Sequence, residues 1–174
     1  AYRRQRQMCI RDSMEGCIPE ILAKLGETNL EKTSGYGTDP HTATAAALIR
    51  EACKAPKAEV HLLAGGTQTN RTVIGAMLKP WEGVVAAQTG HIAVHEAGAI
   101  ESLGHKVFEI AQRDGKVRAK DVEAVFHNYV VDDNRDHMPA PALLYISHPT
   151  ETGTLYTRSE LEAVTGVALS LIHI

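Results

Sequence analysis

At 174 residues, 44% of them hydrophobic and 22% charged, with a formal net charge of −3, the chain has the composition of an ordinary globular domain and enough length to bury a core. No apolar run approaches the roughly 20 residues of a membrane-spanning helix, so that class is excluded. Three scattered cysteines, Cys9, Cys17 and Cys53, make no disulfide framework, and a reducing, cytoplasmic setting is expected.

The first thirteen residues, AYRRQRQMCIRDS, set Arg3, Arg4, Arg6 and Arg11 against a lone Asp12. Such an arm could neutralise nucleic-acid phosphates. Neither it nor the closing LSLIHI continues the pattern of its neighbours, and both read instead as translated sequencing-adapter sequence. The expected organisation is a non-native flank over 1–13, one α/β domain over 14–166 and a second flank over 167–174, with no nucleic-acid partner and no membrane.

Helical patterns at 18–25 and 42–53 are separated by the glycine-rich SGYGTDP. Residues 60–64, VHLLA, suit a short strand ending in Gly65-Gly66. A helix is expected over 67–78, with Val73, Ile74 and Met77 on one face and Pro80 as its stop. Then come a strand at 84–87, a helix over 93–103 closed by Gly104, a strand at 106–110 and a turn at Asp114-Gly115. Val122, Val125 and Phe126 give helical spacing to 119–129, PALLYIS at 141–147 is an apolar strand, and Ser159 with Glu162 has the spacing of a capping box. Strands alternating with helices imply a largely parallel sheet with helices packed on it.

The sharpest local feature is GGTQTN, Gly65 to Asn70, where a strand is expected to turn into a helix. A helix start exposes unpaired N–H groups and a partial positive charge, and glycine lets an anion come close, which suits a phosphate ester. The string matches neither G-x-x-x-x-G-K-[ST] nor G-x-G-x-x-G, so it is no nucleotide signature, and by itself it could be a plain helix cap. His91 and His95 stand four apart beside Glu96, but the spacing is not H-E-x-x-H and no third ligand is evident, so no metal is expected. Tyr36, read alone, is a loop aromatic.

Three strings taken together, GYGTDPHTATAAALI, TGHIAVHEAGAIESLGHKV and YISHPTETGTLYTRSEL, resemble the threonine aldolase and β-eliminating lyase family of fold-type I pyridoxal-phosphate (PLP) enzymes, over about residues 17–164. The resemblance implies a three-layer α/β large domain with a mostly parallel sheet, represented here in part, since the last strands and a small C-terminal domain would lie further on. It implies that Gly66, Thr67 and Gln68 cradle the cofactor phosphate. His91 would stack on the pyridine ring and handle protons at the substrate, while Tyr36, near Asp39, would lie on a loop that approaches a neighbouring active site in a homo-oligomer. The Thr150-Glu151-Thr152 turn would sit at the cofactor side of the sheet without a definite role. The implied activity is cleavage of a β-hydroxy-α-amino acid to glycine and an aldehyde, with β-elimination or transamination on the same frame as alternatives. The family's Schiff-base lysine and the Asp-Gly-Ala-Arg partner of the ring nitrogen find no match, for none of the lysines from Lys24 to Lys120 stands at that position. The 174 residues are therefore expected to form an inactive fragment with half a site, and the alternative of another class is an inert α/β domain able only to bind or dock.

Overall fold

The structure, a computed structural model, describes residues 16–171, which divide into two compact units, 16–64 and 65–171. The flank expected over 1–13 lies outside the described residues. No described helix is long and apolar enough to cross a membrane.

In the first unit, α1 (Pro19–Thr28) starts on a proline whose missing N–H costs nothing at a helix start. Ile18, Ile21, Leu22 and Leu25 share one face of it and are all exposed. Tyr36 (φ 60°) and Gly37 (φ 73°) are consecutive left-handed residues that reverse the chain before α2 (Pro40–Ala52). Asp39, expected only as a loop neighbour of Tyr36, is the N-cap of α2. Its carboxylate accepts from the Thr42 side chain (2.6 Å) and backbone N–H (2.8 Å), and these bonds hold it below the usual aspartate range. The strand expected at 60–64 is not formed: the segment lies in no ladder, and Leu62 and Leu63 are exposed. An apolar pentapeptide becomes a strand only where a neighbour takes up its backbone hydrogen bonds, a condition the sequence pattern does not report.

The second unit holds α3 (Gly66–Met77), β1 (Glu82–Ala87), α4 (His91–Val94), β2 (Val107–Ile110), α5 (Ala119–Val131), β3 (Ala140–Leu144) and α6 (Arg158–Leu171). Its three strands are parallel, in the order β2-β1-β3, with Val84 opposite Val107 and Val85 opposite Leu144. The central β1 is apolar on both faces, as a strand covered on both sides must be. Val85 and Ala87 pack with Val122, Phe126, Tyr156 and Val164 from α5, α6 and the loop before α6. Val84 and Ala86 face Ile74 and Leu78 from α3 and its C-cap, together with Ile92 and Ile100. Helices on both faces of a parallel sheet give the expected three-layer α/β arrangement.

Two elements differ from expectation. The helix expected over 93–103 is broken: α4 ends at Val94, Ala97 (φ 51°) and Gly98 (φ 69°) turn left-handed, and Glu101–Leu103 forms a 3-10 turn closed by left-handed Gly104. The capping box of α6 lies two residues earlier than expected. Thr157 Oγ1 accepts from Glu160 N (3.2 Å) and Glu160 Oε2 accepts from Thr157 N (2.6 Å). The helix then runs without a break through the expected boundary at Gly166 to Leu171, with Ala168 buried.

Lys116 Nζ, 2.8 Å from Glu160 Oε2, and the Thr157 N–H together lower the Glu160 carboxyl from 4.5 to about 2. A depressed acid stabilises the fold above its unfolded value, and that contribution disappears as pH falls through the folded value. Glu160→Gln should therefore melt below the wild type at pH 6, and the gap between the two should close between pH 4.5 and about 2. Paired thermal melts across that range measure this.

Candidate active site at the ends of the parallel strands

Helix α3 supplies one wall of the site. It begins at Gly66 with no side chain capping its first turn and no acidic residue there, so its N-terminal N–H groups and positive dipole end suit an anion. A Cβ built on Gly65 or Gly66 would meet nothing within 4 Å, which leaves the turn open to a ligand. Thr67 is exposed there, whereas the hydroxyl of Thr69 donates to the Gly65 carbonyl of its own helix (2.8 Å).

The carboxyl end of β1 supplies the opposite wall. Gly90 makes the exit turn, its N–H donating to the Ala87 carbonyl (2.7 Å); a Cβ on it would lie 2.9 Å from that same oxygen, so only glycine fits. His91 follows at once. Its backbone N–H donates to Glu151 Oε1 (2.9 Å), which also accepts from the Ser147 hydroxyl (2.5 Å), so the turn after β1 is tied to the loop after β3. Glu96 Oε1 lies 2.9 Å from His91 Nδ1 and 2.6 Å from Asn70 Nδ2, joining the two walls, while its buried Oε2 has no hydrogen-bond partner.

Between the walls lies a cleft of about 450 Å³ lined by Gly66, Thr67, Thr69, Asn70, His91, Glu96 and Tyr145, a size within the range that holds cofactors and small ligands. Of the residues expected to form the site, Gly66, Thr67 and His91 meet here. Gln68 is exposed on the first turn of α3 and is not part of the cleft lining. Tyr36 belongs to the other unit, where it is fully exposed. Thr150 is buried at 1% exposure, and its hydroxyl bonds within its own loop to Thr154 Oγ1 (2.7 Å) and Thr152 Oγ1 (3.1 Å), which makes it a brace for that loop. Among the described residues no group of His, Cys, Asp and Glu is placed to hold a metal ion.

Asn70 and Tyr145 were not identified from the sequence as site residues, Glu96 was weighed only as a metal ligand beside His91 and His95, and Glu151 was placed at the cofactor side without a role. Glu96 is five residues from His91, a spacing that a continuous helix would not bring to one face. α4 ends at Val94 with His95 as its C-cap, and the signal in the sequence that a helix does not run on through this segment is Gly98, a poor helix former that here turns left-handed.

The Beta-eliminating lyase family model matches residues 10–170 of this chain. A low-specificity L-threonine aldolase of Pseudomonas aeruginosa is 28% identical over 167 residues, covering 95% of this chain and 47% of that protein. The low-specificity L-threonine aldolase of another Pseudomonas strain is 27% identical over 169 residues, covering 96% of this chain and 47% of its own length. A solved structure of Leishmania major threonine aldolase superposes with a TM-score of 0.84 at 44% identity, covering 90% of this chain and 45% of that one. The chain thus spans about half the length of the curated relatives it matches.

Proposed function

The chain belongs to the beta-eliminating lyase family, and from that premise we propose that the protein carrying it is a PLP-dependent amino-acid lyase of the threonine aldolase type, converting a β-hydroxy-α-amino acid to glycine and an aldehyde. The observation that carries this reading is the cleft itself, in which an uncapped helix start at Gly66-Thr67 faces an imidazole at the carboxyl end of the central strand. Ligands of open α/β sheets collect at that end of the strands.

The residues present fit PLP. The open glycine turn and the N–H groups of α3 would hold its phosphate, with the Thr67 hydroxyl as a further donor and Gln68 on the same turn, and the flat ring of His91 would lie against its pyridine. When bound, PLP supplies an electron-withdrawing ring that accepts the electrons of the broken Cα–Cβ bond. The chain's own contribution is to orient and to move protons. His91 takes the proton of the substrate β-hydroxyl as that bond breaks, a task suited to imidazole because it exchanges protons near neutral pH. Glu151 holds the His91 backbone in place through its N–H.

The identity to threonine aldolases favours cleavage over β-elimination on the same frame. The intact protein, loaded with PLP and given threonine, should release glycine and acetaldehyde in equal amounts. Release of pyruvate or ammonia from tyrosine or cysteine, with threonine untouched, would replace this reading by β-elimination. The exposed apolar stripe of α1 supports a homo-oligomeric protein, and the exposed free thiols of Cys17 and Cys53 support a reducing, cytoplasmic location.

Thr67 gives a direct test of the phosphate role. Losing a hydroxyl that bonds a charged acceptor costs about 1.5–3 kcal/mol. Thr67→Ala should therefore raise the dissociation constant for PLP by about ten- to a hundredfold, read by equilibrium dialysis; unchanged affinity removes Thr67 from the cradle.

A further inference from the structure

We propose that Glu96 is a positioning residue which fixes the tautomer and orientation of the His91 imidazole and, through Asn70, couples that setting to the helix start at the phosphate turn. The inference deepens the reading of this cleft as a PLP-dependent lyase site and rests on it.

The Glu96 side chain is fully buried, and a single oxygen, Oε1, serves both His91 Nδ1 (2.9 Å) and Asn70 Nδ2 (2.6 Å). A carboxylate only accepts, so the ring nitrogen facing it is the one that carries the proton. In a neutral imidazole that leaves Nε2 as the accepting nitrogen, the form needed to take a proton from a substrate hydroxyl. Burial removes competing water from these bonds and strengthens them.

Two further observations favour a role in the site over one in the fold. First, Oε2 is buried without a partner, a cost that an apolar residue of similar volume would avoid. Second, the chain gives up a continuous helix to bring Glu96 here, since α4 stops after one turn and Ala97 and Gly98 adopt left-handed backbone. Asn70 lies on the second turn of α3, one turn beyond Gly66 and Thr67. The carboxylate therefore spans the cleft and sets the distance between cradle and ring.

The test uses the intact protein free of cofactor and labelled with 15N at histidine, with long-range 1H–15N spectra that distinguish the two neutral tautomers and His91 assigned by its loss in His91→Asn. Wild-type His91 should be a single form protonated at Nδ1. Glu96→Leu removes the acceptor and keeps the volume, and should move His91 toward the Nε2-protonated form. Glu96→Gln, which presents both a donor and an acceptor, should give a mixture and serves if the leucine variant does not fold. In the PLP-loaded enzyme, Glu96→Gln should lower kcat by about ten- to a hundredfold while KM changes less than about threefold. A wild-type His91 protonated only at Nε2, or one whose Nδ1 form persists in a folded variant, overturns the proposal. Failure of the wild type to bind PLP would sink the lyase reading instead, and because the tautomer is read without cofactor the two failures are distinguishable.

Discussion

His91→Asn should lower kcat/KM for threonine cleavage by about 10²- to 10⁴-fold, the range that a positioned general acid or base contributes, equivalent to about 3–5 kcal/mol of transition-state stabilisation. Asparagine is chosen because it preserves what the structure shows to be scaffolding. The backbone N–H of residue 91 still reaches Glu151, and an amide can still donate toward Glu96. What is lost is the ring, both as a flat surface for PLP and as a proton carrier. Cofactor affinity should fall much less than turnover, because the proposed phosphate cradle, Gly66 and Thr67, is on the other wall of the cleft. Steady-state kinetics alongside PLP binding separates the two effects. A variant that loses cofactor as steeply as it loses rate would make His91 a binding residue only.

The contrast between His91 and Glu96 shows how far the sequence carries. His91 drew attention only through the family resemblance of the string that contains it, TGHIAVHEAGAIESLGHKV, because a lone histidine read by itself is most simply a structural residue. The central strand was legible from its own residues, since Val84 to Ala87 is apolar on both faces and only a strand covered on both sides reads that way. Glu96 and Asn70 were not, because their pairing joins residues 26 apart in sequence, one on α3 and one beyond the end of α4, and only the packing of those elements brings them together. The helix expected over 93–103 failed because apolar spacing outweighed Gly98 in the reading, whereas in the structure Ala97 and Gly98 are left-handed and Ile92 and Ile100 both pack in the cluster against the sheet. The failed strand at 60–64 is the converse case. Its local preference is sound, but strand formation is decided by a partner, and no ladder takes it up among the described residues. The α6 capping box was misplaced for a smaller reason: Thr157/Glu160 and Ser159/Glu162 both satisfy the spacing rule, and in the structure Glu160 takes the Thr157 N–H and Lys116 while Glu162 pairs with Arg158.

Ile100→Ala should destabilise the unit formed by residues 65–171 by about 2–5 kcal/mol, the cost of truncating a fully buried aliphatic side chain and leaving a cavity. Ile100 is 0% exposed and packs in the cluster beneath the cleft, with Val84 and Ala86 from the sheet, Ile74 from α3 and Ile92 from the segment after His91. Each wall of the site stands on one of these neighbours. A hole at Ile100 should therefore do more than lower stability: it should let α3 and the His91 turn shift relative to each other and weaken PLP binding. Val122→Ala provides the control, because Val122 is equally buried but belongs to the cluster on the opposite face of the sheet with Phe126 and Val164. Urea denaturation of both variants should show substantial losses of stability, whereas PLP affinity measured well below each unfolding midpoint should fall only for Ile100→Ala. Ile100→Val, which removes a single methylene, should cost about 0.5–1.5 kcal/mol and leave the site intact. Equal losses of affinity in Ile100→Ala and Val122→Ala would mean that the cleft responds to global stability alone, and that its two walls are not held by the cluster beneath them.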